Sequence, residues 1–179
     1  MVLAHPALER SRANRAMAVA AECTSEARLH DLYETYPDYL IDVPAEQARL
    51  SAHEVVVLQF PLYWYSCPAL LKEWIDLVWL HGYAYGDGGV ALQGKTLACA
   101  CSTGGRDATY GPFGHNRFTM DEFLRPFEAT AHLCGMRWVK PFIAHGAALL
   151  EEEDLSRTGK AYHAWLRQLA DRSARARAA

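Results

Sequence analysis

The segment best suited to contact a ligand is an aromatic turn at residues 61–68, which has a proline at each end and contains Tyr63, Trp64 and Tyr65. It follows residues 54–60, whose three consecutive valines predict a strand buried on both faces, as in the middle of a parallel sheet. The carboxyl ends of such strands carry ligand sites. Aromatic residues after a strand are more often core or interface residues, and the alternative is a wall for a flat ligand.

A second candidate segment is the start of a predicted helix at residues 12–22. Ser11 would cap this helix, and the free backbone N–H groups and positive dipole end of its first turn favour an anion. Asn14 adds a side-chain donor. Three arginines raise the local positive potential: Arg10, Arg12 and Arg15. A phosphate fits this helix start, although a serine in this position is more often only a cap.

A third candidate segment is Ser102-Thr103-Gly104-Gly105, which ends another apolar run. Two glycines allow a flat ligand to approach the backbone, and their N–H groups can then meet its polar edge. A Gly-Gly pair can also be only a turn. If all three segments lie at one edge of a sheet, the combination of anion site, aromatic wall and amide-lined loop fits FMN.

The order of elements predicts how these segments come together. Predicted strands cover 2–4, 28–32, 54–60, 95–102 and 136–143, and predicted helices cover 12–22, 45–52, 69–80, 121–134 and 155–172. This alternation indicates an α/β fold with a flavodoxin-like, doubly wound, five-stranded parallel sheet, strand order 2-1-3-4-5 and helices on both faces. We expect a single domain over 1–172, an ordered loop over 33–42 and a disordered tail over 173–179.

The composition excludes several classes of protein. A net charge of −3 does not supply the basic face that nucleic acid requires. The sequence has no dinucleotide-binding G-x-G-x-x-G near its start, no P-loop and no metal-ligand spacing. Five cysteines without a C-x-x-C pair indicate small buried residues in a reducing compartment. Without a membrane-spanning apolar run or a signal sequence, we expect a cytoplasmic protein.

The first predicted strand has only about three residues before His5. Proteins that this chain resembles usually carry several more apolar residues before the corresponding Ala-His-Pro. We therefore expect either a start of the protein upstream of Met1 or an abbreviated strand that holds the fold and its ligand less firmly.

Four motifs together carry a resemblance to a known family. They are Ala4-His5-Pro6 with Ser11-x-x-Asn14, residues 60–68 leading into Leu71-Lys-Glu-Trp-Ile-Asp76, Tyr83-Ala-Tyr-Gly86, and Ser102-Thr-Gly-Gly105. They resemble the flavodoxin-like NAD(P)H:quinone oxidoreductase family that includes DT-diaphorase. The resemblance covers residue 1 to about 165. It is strongest to the short bacterial FMN members, such as the ancillary subunits of glutathione-gated potassium efflux systems.

The resemblance implies a homodimeric enzyme that moves a hydride from NADH or NADPH to FMN and then two electrons to a quinone in the same pocket. The implied phosphate-binding residues are His5, Ser11, Arg12, Ala13 and Asn14. The implied contacts to the isoalloxazine ring are Pro61, Leu62, Tyr63, Trp64 and Tyr65, and those to its pyrimidine edge are Ser102, Thr103, Gly104 and Gly105. Tyr110 and His115 occupy places similar to a tyrosine and a histidine that some relatives use to support charge or to protonate the quinone.

Two other functions stay open. The first is a regulatory flavoprotein with incidental reductase activity, docked on a membrane transporter through helix 69–80 or segment 33–42. The second is a one-electron carrier, which the absence of a strongly acidic surface disfavours because carriers rely on electrostatic steering. For the expected dimer, Trp74 and Trp79 beside the aromatic turn are candidates for the centre of the interface.

Overall fold

The structure, a computed structural model, describes residues 1–178, with side chains described for residues 1–176. The strands are β1 (Val2–Leu3), β2 (His30–Asp31), β3 (Val55–Pro61), β4 (Thr96–Ser102), β5 (Arg137–Trp138) and β6 (Phe142–Ala144). The helices are α1 (Arg12–Glu22), α2 (Leu32–Thr35), α3 (Val43–Ser51), α4 (Ala69–Val78), α5 (Met120–Phe123), α6 (Arg125–Leu133) and α7 (Glu152–Ala178). Two 3₁₀ turns lie at Leu8–Arg10 and Asp107–Thr109.

The strands form one parallel sheet in the order β2-β1-β3-β4-β5, and β6 also pairs with β4. The predicted fold and strand order are therefore confirmed. The predicted last strand, 136–143, is divided into β5 and β6, which pair with successive parts of β4. Pro141 lies between the two parts, and a proline cannot donate a hydrogen bond to a sheet ladder.

One predicted helix and one predicted loop need correction, each for a local reason. The predicted helix 121–134 is two helices, α5 and α6, because Pro126 occupies the first turn of α6, where a proline is tolerated. The predicted loop 33–42 begins inside a short helix, α2. Asp31 caps α2 by accepting hydrogen bonds from the backbone of Tyr33 and Glu34.

The C-terminal helix is longer than the sequence predicted. It continues through Ala178, and Ser173 is buried, so the segment 173–178 is helical rather than a disordered tail. Alanine and arginine, which dominate this segment, are strong helix formers and prolong α7 beyond its last apolar contacts. Ala179 lies outside the described residues.

Side chains on β3 alternate between two apolar layers, one on each face of the sheet. Val56, Leu58 and Phe60 lie in a cluster with residues of α3, α4 and α6. Val57 lies in the opposite cluster, which contains residues of α1 and α7. This two-sided burial explains the unbroken apolar run that predicted the strand, because both sets of side chains leave water.

Trp74 and Trp79 belong to the core and not to the surface. Both are buried within this chain, with ring centroids 6.1 Å apart. The prediction that they form the centre of a dimer interface is therefore wrong. The helical spacing that places Trp74 on the apolar face of α4 turns that face towards the sheet.

The cysteines follow the prediction only in part. Cys99, Cys101 and Cys134 are buried, and burial raises the pKa of each thiol. Cys67 is half-buried, whereas Cys23, at the end of α1, is exposed. No helix in the described part of the chain is long and apolar enough to cross a membrane.

A fully buried carboxylate, Glu46, connects four elements on one side of the sheet. The hydroxyl of Tyr36 and the indole N–H of Trp74 each donate to it over 2.8 Å. His30 Nε2 lies 2.9 Å from its Oε1 atom, and Arg49 Nε donates over 3.4 Å. A single charge at the centre of these contacts therefore holds β2, α2, α3 and α4 together.

Acid should unfold the protein through this carboxylate. Burial alone would raise the pKa of Glu46, but its contacts with His30, Trp74 and Tyr36 outweigh burial and lower the pKa to about 2 from the ordinary 4.5. A lowered pKa stabilises the fold fully above pH 4.5, and this stabilisation is lost as the pH falls towards 2.

We expect the free energy of unfolding, measured with urea between pH 5 and 2, to fall by about 3 kcal/mol more in the wild type than in Glu46→Gln. The glutamine variant removes the titrating group and keeps the shape of the side chain, so other carboxylates cancel in the comparison. An identical pH dependence in the two proteins would contradict the assignment.

Candidate functional site

Two of the predicted ligand segments leave the sheet side by side. In the register of β3 and β4, Pro61 pairs with Ser102. The backbone N–H of Leu62 then donates to the Ser102 carbonyl over 2.8 Å. The aromatic turn and the Gly-Gly loop therefore begin at the same level of the same sheet edge.

The aromatic turn is a tight two-residue hairpin. Tyr63 and Ser66 exchange two backbone hydrogen bonds of 3.1 and 2.9 Å. Trp64 and Tyr65, between them, have φ angles of 48° and 62°, the left-handed pair of a type I′ turn. Non-glycine residues in this region cost about 1 kcal/mol each or more, and such strain concentrates at functional sites.

The hairpin presents one aromatic side chain to solvent and fixes the other. Trp64 is 94% exposed. Tyr65 stacks on Phe123 with ring centroids 4.9 Å apart, and its hydroxyl donates to Asn116 over 3.3 Å. The turn is therefore anchored to the long loop that follows the Gly-Gly pair, and Trp64 is left as a free flat surface.

A cavity of about 390 Å³ lies between the hairpin and the Gly-Gly loop. Its lining combines residues of both predicted segments with both predicted catalytic residues. They are Leu62, Trp64, Tyr65, Gly104, Gly105, Thr109, Tyr110, His115 and Asn116. Segments that are up to 54 residues apart in sequence thus enclose one volume large enough for a flat ring system.

The two glycines have different surroundings. A methyl group added at Gly105 would lie 2.5 Å from Thr109 Oγ1 and 3.4 Å from the Tyr110 hydroxyl. Gly105 is therefore required by the packing of the protein itself. A methyl group added at Gly104 would meet no described atom within 4 Å. The space beside Gly104 is open, as a close approach by a ligand would require.

The start of α1 joins the same edge through Asn14. Ser11 accepts a hydrogen bond from the Asn14 backbone over 3.2 Å, which is the predicted cap. The fully buried Asn14 amide donates to Ser102 Oγ over 2.6 Å, and its Oδ1 has no hydrogen-bond partner among the described residues. Rotation of the amide would exchange the two atoms and leave a donor unpaired instead, so either orientation keeps one polar atom for a ligand.

Two further residues support this helix start from beneath. Gln59, buried in the middle of β3, donates to the Asn14 carbonyl over 3.0 Å. Tyr162 of α7 donates to the other end of the Gln59 amide over 3.1 Å. Sequence analysis missed this support, because only the position of Gln59 within an apolar strand could have indicated a polar task for it.

His5 is buried beside the aromatic turn, with its ring 6.1 Å from that of Tyr63. Its Nδ1 atom accepts a hydrogen bond from the Ala7 backbone, so the proton of the neutral ring is on Nε2. Burial lowers the pKa of His5, and the opposing charges of Glu9 and Asp31 do not offset it. At neutral pH His5 therefore offers one neutral N–H donor.

Arg12 differs from the other residues of this segment. Its guanidinium lies 3.1 Å from Glu152 at the start of α7. Together with Arg10 and Arg15 it lines a separate cavity of about 700 Å³ between α1 and α7. The Arg12 side chain is therefore already paired, and what remains for an anion is the unpaired backbone N–H groups of the first turn of α1, which contains Arg12 and Ala13.

His145 is a site residue that sequence analysis missed. The β4–β6 register pairs Ser102 with Ala144, so His145 lies beside Thr103 at the same sheet edge. Its ring lies 5.4 Å from that of Tyr110. The available signal was its position directly after a predicted parallel strand, the criterion that selected the other segments.

Comparison with known proteins identifies the family of this chain. Residues 1–169 match the family described as flavodoxin-like fold. The chain belongs to this family. It is 46% identical over 166 residues to the glutathione-regulated potassium-efflux system ancillary protein KefG of Cronobacter sakazakii, covering 93% of this chain and 90% of KefG. The family resemblance predicted from the sequence is confirmed.

Two solved structures share the fold of this chain closely. The general stress protein 14 of Treponema denticola, determined in complex with FMN, is 39% identical with a TM-score of 0.88, over 94% of this chain and 97% of that chain. An NADPH-quinone reductase from P. pentosaceus is 35% identical with a TM-score of 0.83, over 92% of this chain and 94% of that chain.

Proposed function

We propose that this flavodoxin-like protein is an FMN-dependent NAD(P)H:quinone oxidoreductase that works by a two-electron, ping-pong sequence. The observation that carries the proposal is the cavity of about 390 Å³ that unites the aromatic hairpin, the Gly-Gly loop, Tyr110 and His115. FMN, when bound, would supply the carrier that accepts a hydride from NADH or NADPH and passes two electrons to a quinone.

The residues of the site fit FMN at separate points. The unpaired polar atom of Asn14 suits a hydroxyl or phosphate of the cofactor, and the neutral N–H of His5 suits a phosphate oxygen. The open space beside Gly104 admits a ring edge. The residues that would hold the cofactor are His5, Ser11, Arg12, Ala13, Asn14, Pro61, Leu62, Tyr63, Trp64, Tyr65, Ser102, Thr103, Gly104 and Gly105.

Tyr110 and His115 line the cavity in which the acceptor would bind. The Tyr110 hydroxyl lies beside Gly105, and the exposed His115 lines the same cavity from the loop beyond it. We propose that they stabilise negative charge at the ring edge or protonate the quinone. A positioned acid usually raises the rate of such a reaction by about 10²–10⁴-fold.

The function is tested by a flavin spectrum of the purified protein, followed by anaerobic titration with NADH and with NADPH. We expect each effective nicotinamide to bleach the flavin absorbance and an added quinone to restore it. A colourless protein that takes up no added FMN would overturn the proposal. Bound flavin that neither nicotinamide bleaches would favour a carrier instead.

Tyr110→Phe and His115→Ala should each lower quinone reduction by at least about tenfold and leave FMN bound, because both changes leave the residues proposed to hold FMN intact. Steady-state kinetics and the flavin spectrum measure the two effects. His132→Ala, an exposed histidine on α6, is the matched control and should behave as the wild type. Wild-type turnover in both test variants would remove these residues from the proposed mechanism.

A homodimer is part of the same proposal. Trp64, which lines the cavity, and Phe113, in the loop that carries Tyr110 and His115, are almost completely exposed, and Phe118 is more than half exposed. Large exposed apolar side chains near one site favour an interaction surface there. Sedimentation of the full chain, with and without FMN, measures the oligomeric state.

The relation to KefG supports a second candidate function, a regulatory subunit of a potassium efflux transporter. KefG is named as an ancillary protein of such a system, and this chain is 46% identical to it. The two segments predicted for docking carry exposed apolar side chains, Leu40 at 76% and, at the end of α4, Leu77 and Leu80. In that case, the protein would lie in the cytoplasm and be held at the inner face of the membrane by its partner.

Co-purification distinguishes the two functions. A tagged chain expressed with the transporter should bring it down from detergent-solubilised membranes if the regulatory function is correct. Leu40→Glu should then abolish the association without changing reductase turnover, because Leu40 lies outside the candidate site.

A further inference from the structure

The Thr103 hydroxyl has two contacts that its single proton cannot serve together. Thr103 Oγ1 donates to the Gly105 carbonyl over 2.9 Å and lies 3.1 Å from His145 Nδ1. A carbonyl oxygen only accepts, so the hydroxyl proton must point to it. The second contact is then a hydrogen bond only if the imidazole donates from Nδ1.

The other nitrogen of His145 is also required to donate. His145 Nε2 lies 3.2 Å from a carboxylate oxygen of Asp107. Since a carboxylate only accepts, Nε2 must carry a proton. All three contacts can therefore be hydrogen bonds only when both ring nitrogens are protonated, that is, when His145 is an imidazolium.

Loss of one proton has a definite structural consequence. The remaining proton stays on Nε2, where Asp107 accepts it, and Nδ1 becomes an acceptor. The Thr103 hydroxyl then turns from the Gly105 carbonyl to Nδ1. The Gly105 carbonyl keeps the hydrogen bond that it accepts from the Gly146 backbone over 2.8 Å, so this carbonyl is held by one hydrogen bond instead of two.

We propose that His145 is a positioning residue of this site: its protonation turns the Thr103 hydroxyl and so sets how firmly the Gly104-Gly105 loop is held. The two directions of the hydroxyl follow from the two contacts of Thr103 Oγ1, whereas the effect on flavin binding rests on the proposed function. A firmer loop holds its N–H groups in place for a ring edge, so flavin binds more tightly when His145 is charged.

Besides Thr103, the groups that face His145 and its neighbour Gly146 belong to one stretch of chain, residues 106–110. Asp107 is the charged partner, on the 3₁₀ turn, and Tyr110 follows it with its ring 5.4 Å away. The side-chain carbons of Arg106 run beside Gly146. Burial lowers the pKa of His145, and Asp107 opposes the shift. The pH at which the Thr103 hydroxyl changes its partner therefore lies below the ordinary pKa of histidine.

The first test measures the affinity of the whole chain for flavin at pH 5 and at pH 8. Riboflavin is the probe, because it lacks the phosphate whose own titration would change FMN binding. We expect the wild type to bind riboflavin about threefold to tenfold more tightly at pH 5, the worth of one hydrogen bond. His145→Gln and Thr103→Val should lose this pH dependence, and Thr103→Ser, which keeps the hydroxyl, should retain it.

The second test does not depend on flavin. Nitrogen-15 NMR of the histidine side chains in the wild-type protein reports which ring nitrogen of His145 is protonated. We expect the neutral form to carry its proton on Nε2. A neutral form protonated on Nδ1 would overturn the inference, because that nitrogen would then donate to Thr103 at every pH and the hydroxyl would not turn.

The two tests separate the two proposals. Unchanged pH dependence of riboflavin binding in His145→Gln, with flavin still bound, overturns the role of His145 and leaves the reductase intact. A protein that binds no flavin but shows the Nε2-protonated neutral form contradicts the proposed function and supports the hydrogen-bond switch.

Discussion

Glu46→Ala is expected to lower the free energy of unfolding by about 3–5 kcal/mol, because it removes a buried carboxylate on which several side chains converge. The change leaves the Tyr36 hydroxyl and the Trp74 indole N–H, each of which donates to Glu46 over 2.8 Å, without an acceptor. It also leaves His30 without the carboxylate 2.9 Å away. Buried donors without partners cost about 1–3 kcal/mol each, so the loss extends beyond the methylene groups removed.

For a chain of 179 residues, this loss corresponds to a fall in melting temperature of about 10 °C. Urea unfolding at pH 7 and differential scanning calorimetry measure it. Glu73→Ala is the matched control, because Glu73 is exposed on α4 directly beside Trp74 in sequence and should change stability by less than about 0.5 kcal/mol. Equal stability of the two variants would show that the Glu46 contacts do not stabilise the fold.

The Glu46 cluster also shows what the sequence could not predict. The alternation of strands and helices could be predicted, because apolar runs and helical spacings are local patterns of the sequence. The strand order followed from that alternation. The contacts of Glu46 with His30 and Trp74 join residues 16 and 28 positions apart, and no local pattern indicates such partners. A glutamate within a predicted short helix is most simply placed on its solvent face, and this one is fully buried.

The candidate site likewise combines local features that the sequence predicted with long-range contacts that it did not. The aromatic turn, the helix cap and the Gly-Gly loop could be found because each follows a predicted strand. Their connection through Asn14 and Ser102, 88 residues apart, required the register of the sheet. Prolines were decisive in the regions where boundaries were missed: Pro126 divides one predicted helix, and Pro141 lies within the predicted last strand.

Gly104→Val is expected to weaken FMN binding by about a hundredfold, or about 2.7 kcal/mol, and to leave the stability of the flavin-free protein within about 0.5 kcal/mol of wild type. Without ligand, a β-carbon at this position meets no described atom within 4 Å, so the protein itself has room for the side chain. With FMN bound against the loop, the same space would be occupied by the ring edge, and the added methyl groups would push it away from the backbone N–H donors.

The neighbouring glycine makes this result interpretable. At Gly105 an added β-carbon would lie 2.5 Å from Thr109 Oγ1 and 3.3 Å from the Tyr110 ring, so Gly105→Ala should destabilise the flavin-free protein by about 1–3 kcal/mol. Thermal unfolding of the flavin-free variants and FMN fluorescence titration measure the two quantities separately. Wild-type FMN affinity in Gly104→Val would mean that no ligand approaches this backbone. A loss of affinity at Gly104 without a loss of stability is the result expected for a ligand in the space that the protein leaves open.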